Sequence, residues 1–138
     1  MKIQAAILCD YAKARDGLVN MIGGAISRLT LSPIPGPMMI HLVLIVEFAQ
    51  KEVQTPHELS VQIYRDSTTE LIGALTATVD THAVSGLDPS ELILAPLVAN
   101  LTPIGIPAAG MYSLHTRVDR EIGPVLSLRV IQGPPQPS

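Results

Sequence analysis

Aromatic side chains are nearly missing from this chain: three tyrosines, one phenylalanine and no tryptophan among 138 residues. That excludes a single-strand nucleic-acid binder, which needs aromatic platforms for base stacking. Charge is scarce as well, at 15% of residues, and nine Lys and Arg against twelve Asp and Glu leave a net charge of −3. A phosphate backbone must be met by a basic stripe, so nucleic acid is excluded as a partner. Cysteine occurs once, as Cys9, so the chain cannot form an internal disulfide and does not read as a secreted disulfide scaffold. Long apolar runs are absent too. The longest, residues 38–46, contains His41 and falls well short of the roughly 20 residues of a membrane helix. The apolar stretch after Lys2 ends at Asp10, too early for a signal peptide. The expectation is a cytoplasmic protein with no membrane partner.

What is present is aliphatic. Hydrophobic residues make up 47% of the chain, beside twelve prolines and ten glycines. The apolar content argues against disorder, and the prolines argue against a helical bundle. A chain of this length can bury roughly two-thirds of its unfolded surface, so it needs neither metal nor disulfide to fold.

Short apolar runs separated by turn residues predict strands. Residues 3–12 form the first run, and Asp16-Gly17 is a strong hairpin signal after it. Residues 18–31 run back as a second strand, interrupted at Gly23-Gly24 by a bulge or sharp bend. The alternating prolines of residues 32–37 must leave the sheet, and they read as a crossing between two sheets. Residues 38–48 are almost continuously apolar and predict a strand covered on both faces. A polar turn covers residues 47–55. In residues 57–65, Leu59, Val61 and Ile63 alternate with Ser60, Gln62 and Tyr64, the pattern of a half-buried strand. After a turn at residues 66–69, Leu71, Gly73, Leu75, Ala77 and Val79 line one face of a fifth strand. Residues 80–88 read as loop. Asp88-Pro89-Ser90-Glu91 has the form of a helix start, and Pro96 limits any helix to about two turns, so one short turn is expected. Strands follow at residues 97–101, 111–119 and 125–131. Residues 1–132 are thus expected to form a single all-β domain: an immunoglobulin-like antiparallel β-sandwich of seven to eight strands with at most one short helical turn. Residues 133–138 are expected to be a disordered, proline-rich tail. The absence of βαβ alternation excludes a doubly wound nucleotide-binding fold.

One segment carries fold-level specificity. After the strand at residues 97–101 the chain passes through Gly110, and Tyr112 follows at the start of the next strand. A tyrosine in this place resembles the tyrosine corner of immunoglobulin-like sandwiches, whose hydroxyl bonds to backbone a few residues upstream. The corresponding cysteine of antibody domains is replaced by Leu114. A second resemblance spans more of the chain. Residues 6–12, the hairpin Asp16-Gly17-Leu18, residues 20–24 before Arg28-Leu29, Val46-Glu47-Phe48, His57-Glu58-Leu59 and Gly110-Met111-Tyr112 resemble a family of small bacterial all-β proteins of unknown function. The resemblance implies fold and a bacterial source, and it carries no catalytic residue. The residues singled out, Asp16, Gly17, Gly23, Gly24, Gly110 and Tyr112, are therefore structural.

A search for chemistry returns little. Cys9 sits among apolar neighbours with no base nearby, so it reads as a packed thiol rather than a nucleophile. No Gly-x-Ser-x-Gly elbow occurs, and Ser113 with His115 lacks a third member. The histidines His41, His57, His82 and His115 are far apart in sequence, with no metal-binding spacing. His57 and Glu58 point to opposite faces of a strand, and His41 reads as a hydrogen-bonded core residue. Asp80, His82, Asp88 and Glu91 could meet around a hard cation in a loop, without calcium-loop spacing. Asp10 and Glu47 each end an apolar run and could face each other if their strands were neighbours, or pair with Arg28. No catalytic, cofactor or metal site is expected.

Three function classes follow. The first is a non-catalytic interaction module that self-associates or docks on a protein partner through an apolar sheet face or edge, since so few charges leave apolar surface to cover. The second is an apolar-ligand binder lined by Met21, Met38, Met39 and Met111. The third, a metal-dependent hydrolase, has no motif behind it.

Overall fold

The computed structural model of this protein describes residues 1–66, 69–81 and 85–134. Among them the chain forms eleven strands and one 3₁₀ turn. These are β1 (Lys2–Arg15), β2 (Leu18–Gly24), β3 (Arg28–Leu31), β4 (Gly36–Pro37), β5 (His41–Phe48), the 3₁₀ turn (Gln50–Gln54), β6 (His57–Arg65), β7 (Glu70–Val79), β8 (Ile93–Asn100), β9 (Gly105–Ile106), β10 (Gly110–Val118) and β11 (Glu121–Gln132). Two sheets face each other in a sandwich: one of four strands in the order β2-β1-β5-β8, the other of five in the order β3-β11-β10-β6-β7. A two-stranded ribbon, β4-β9, accompanies them.

Alternation builds the core between the sheets. Leu42, Leu44, Val46 and Phe48 of β5 point in, as do Leu59, Val61 and Ile63 of β6, all at 1% exposure or less. With aromatics so few, aliphatic side chains fill the layer around Phe48 and Tyr112. The opposite face of β5 is covered as well. Cys9, Ala12 and Val43 form a second buried cluster with Val19, Met21, Ile45 and Val98 around it. In a flat sheet β2 would lie three strand spacings, about 14 Å, from β8. Here the two come within 8 Å between Cα atoms. The β1-β2 hairpin therefore curls over the outside of its own sheet, and this is what covers both faces of β5, as its continuous apolar run predicts.

The hairpin turns at Asp16 and Gly17, with φ of 53° and 76°. Positive φ at both central residues is the geometry of the tight turn that Asp-Gly favours. At Gly23 the sequence expectation of a bend holds, with a clear reason: φ is 62°, and a Cβ there would stand 2.4 Å from the Asp10 carboxylate. Gly24 follows it opposite Cys9 at the end of β2.

Several expectations are corrected. Residues 18–31 are not one strand: the chain leaves the first sheet after Gly24, and β3 joins the other sheet beside β11. That pair is parallel, with Leu29 opposite Val130, so the sandwich is not antiparallel throughout. Asp88 starts no helix. Its carboxylate accepts hydrogen bonds from the Ser90 amide and hydroxyl at 3.0 and 2.8 Å, closing a turn, while the short helical turn lies at Gln50–Gln54. Leu71 does not share the inward face of β7, because a register shift between Ile63 and Tyr64 sets it opposite Tyr64 and leaves it 48% exposed. The strand count exceeds seven to eight because residues 18–31 divide into β2 and β3 and because β4 and β9, at two residues each, are too short to show alternation. In the expected tail, Gly133 donates to the Leu31 carbonyl at 2.7 Å and the Pro134 carbonyl accepts from Ser32 at 2.9 Å. The remainder of the tail, residues 135–138, lies outside the described residues.

Candidate functional site

The best-formed polar constellation gathers at one end of the sandwich, around His57. This residue opens β6 and is 5% exposed, with its ring 4.7 Å from that of Phe48. Its Nδ1 donates to Asp119 Oδ2 at 2.6 Å, and its Nε2 donates to the Glu52 carbonyl at 2.5 Å. Both partners are acceptors, so the ring carries both protons to satisfy them and is an imidazolium. Burial pulls its pKa down, but the Asp119 hydrogen bond, the Glu52 carbonyl and the two nearby carboxylates outweigh it and hold the pKa above its ordinary value.

Asp119 sits at φ 51° in the turn between β10 and β11 and is tied in from both sides. Its Oδ1 accepts from the Glu58 amide at 2.9 Å, and its own amide donates to the Glu58 carbonyl at 2.8 Å. Burial raises its pKa, but the Glu58 amide and His57 prevail and hold the carboxyl below the usual range. Glu52 turns away from His57. Its Oε1 accepts from the Ala49 amide at 2.8 Å and lies 3.2 Å from the Met1 amino nitrogen, and the Ala49 bond above all lowers its pKa. The cluster thus joins β6, the β10-β11 turn and the 3₁₀ turn. Both imidazole nitrogens are engaged, so none is open to take a proton from a substrate, and the geometry is that of a clamp.

Tyr112 is buried completely and donates its hydroxyl to the Ala108 carbonyl at 2.5 Å, so the tyrosine corner forms. Gly110 precedes it with φ 148°. Cys9 is buried, its thiol 3.7 Å from the His41 carbonyl; burial, and then the Asp10 charge, push its pKa up. This is the environment of a packed thiol, not of a nucleophile. Asp10 and Glu47 do not meet, although β1 and β5 are neighbours. Antiparallel register sets Glu47 opposite Lys2 and Cys9 opposite His41, so the two carboxylates sit at opposite ends of the pair. His41 is half-buried on the outer side, not in the core; it bonds the Asp10 carbonyl at 3.2 Å and meets Tyr11 edge-on. Ser113 bonds Asp66 and His115 lies against Tyr64, 5.0 Å between ring centres, so that pair splits between separate partners. His82 lies outside the described residues. Among the described residues no three His, Cys, Asp or Glu side chains gather as metal ligands would. No helix among them is long and apolar enough to cross a membrane.

Two concave surfaces have mostly apolar walls. Leu29, Leu31, Met38, Met39, Ile40 and Asp10 line a cleft of about 490 Å³ that brings together two of the four methionines read as pocket-lining. A groove of about 240 Å³ runs between the hairpin tip and β8, lined by Leu18, Val19, Ile45, Leu94 and Pro96. The pairing of His57 with Asp119, 62 residues away, had no signal in the sequence. The groove was not legible either, since it exists only because the hairpin curls.

A family model described as a family of unknown function (DUF6941) matches residues 4–131. No curated protein and no solved structure matches the chain.

Proposed function

The chain belongs to this family of unknown function, and from that premise we propose that it is a non-catalytic module that works by binding protein, in the first place another copy of itself. The observation that carries the reading is the apolar groove beside the hairpin. Leu18 and Leu94 flank it at 72% and 56% exposure, on a chain with only 15% charged residues. Clustered apolar exposure of this kind marks protein interaction surfaces more often than single exposed residues do. The engaged nitrogens of His57 support the non-catalytic half of the reading. The lone buried thiol supports a reducing compartment, and we assign the protein to the cytoplasm. Sedimentation of the purified protein from micromolar to submillimolar concentration tests the proposal. A concentration-dependent rise in mass is expected. A chain that stays monomeric throughout would overturn self-association.

The methionine-lined cleft favours a second reading, an apolar small-molecule binder, because Met38 and Met39 stand there with Leu29 and Ile40. Native mass spectrometry of freshly purified protein decides it: a retained ligand supports this reading and its absence removes it.

A further inference from the structure

Sheet edges expose unpaired backbone donors and acceptors, and proteins usually block them with proline, charge, bulges or shortness. Among the described residues, three of the four edges of the two large sheets are blocked in this way. β8 carries Pro96, β3 has four residues, and β2 ends at Gly23-Gly24 on a hairpin folded over its own sheet. β7 is different. It has ten residues, and residues 71–79, Leu-Ile-Gly-Ala-Leu-Thr-Ala-Thr-Val, contain neither a charge nor a proline. Ile104 covers its inward face at Gly73, and among the described residues β7 ends its sheet with β6 as its ladder neighbour.

The inward face of β7 is also unfinished. Leu75, Ala77 and Val79 stay half-buried, while Leu59, Val61 and Ile63 on the neighbouring strand are at 1% exposure or less. An added strand alongside β7 would hydrogen-bond its edge and cover these side chains together. Such a strand must be uncharged along its length and apolar on its inward face. β7 itself meets both conditions.

We propose that β7 is the self-association edge of this protein: residues 74–78 of two copies pair antiparallel about a two-fold axis, joining two five-stranded sheets into one of ten strands. The proposal rests on the self-association reading above but places the contact on the other sheet from the groove. Centred on Thr76, the pairing sets Leu75 opposite Ala77 and Ala74 opposite Thr78, so small and apolar side chains meet with no like charges opposed.

Proline substitutions test this. Successive N–H groups of a strand point to opposite edges, so of Thr76→Pro and Ala77→Pro one removes a bond to β6 and the other removes a donor from the free edge. The variant with wild-type thermal stability is the one to compare, and Ala77→Lys, an inward-pointing edge charge, is the second probe. Sedimentation is expected to show a dissociation constant at least tenfold weaker for the folded proline variant and for Ala77→Lys. Self-association that survives unchanged in both, while Leu18→Glu abolishes it, overturns the edge proposal and leaves the self-association reading standing. A wild-type chain that is monomeric at every concentration overturns both.

Discussion

The two sheets of this sandwich are finished in opposite ways. The four-stranded sheet closes on itself: its hairpin curls over Val43 and Cys9, and its outer strand β8 carries a proline. The five-stranded sheet presents Gln62, Tyr64, Ser113 and His115 on its outer side and ends in a long strand that carries no charge after Glu70. The same composition thus yields a central strand, β5, buried on both faces and, in the other sheet, a strand, β6, buried on one. Burial on both faces costs the sequence its alternation, which is why β5 reads as a continuous apolar run and β6 as a clean alternation.

The sharpest way to break this comparison is to put a carboxylate on the outer side of each sheet. Val43→Asp buries an unpaired charge beneath the hairpin and is expected to cost more than about 4 kcal/mol, a large share of a typical domain's stability. Gln62→Asp, at the equivalent depth of the other sheet, is expected to change stability by no more than about 0.5 kcal/mol. Chemical denaturation of the two variants checks both; equal costs would mean that the hairpin does not cover its sheet.

The clamp around His57 joins elements at the end of the sandwich, and its effect is smaller. Asp119→Ala leaves a buried imidazole without its carboxylate and is expected to cost about 2 kcal/mol. Its pH dependence has two limbs. The pKa of His57 is raised, so its contribution is complete below the free value of about 6.5 and is lost as pH rises through the folded value. The pKa of Asp119 is lowered, so its contribution is complete above the free value of about 3.8 and is lost as pH falls through the folded value. Melting temperature against pH is therefore expected to show a plateau between these values, and the alkaline fall should shrink in Asp119→Ala. The smallest effect belongs to the tyrosine corner. Tyr112→Phe strands the Ala108 carbonyl and is expected to cost about 1 kcal/mol, read as a lower denaturation midpoint with unchanged slope.

Legibility in the sequence followed the range of the interaction. The hairpin at Asp16-Gly17, the alternation of β6, the double cover of β5 and the corner at Tyr112 are set by residues within one strand or turn, and they were readable there. The sheet change after Gly24 was half readable: the glycines announced a bend, but the strand that β3 joins lies 100 residues on. In the sequence His57 has only Glu58 beside it and three distant histidines as candidate partners. Its true partner arrives from the β10-β11 turn, and no local pattern carries that information.

The parallel pair of β3 with β11 also bears on how the chain is made. Leu29 has Val130 as its ladder partner, 101 residues later, and among the described residues no other strand flanks β3. During synthesis β1, β2 and β5 can assemble as soon as they emerge, while β3 must wait beside them with its ladder unmade until almost the whole domain has been translated. Loop closure over such a span is slow compared with hairpin formation. The second sheet therefore completes late, and a ribosome-bound chain stopped before residue 121 holds the covered sheet without the strand that locks its partner.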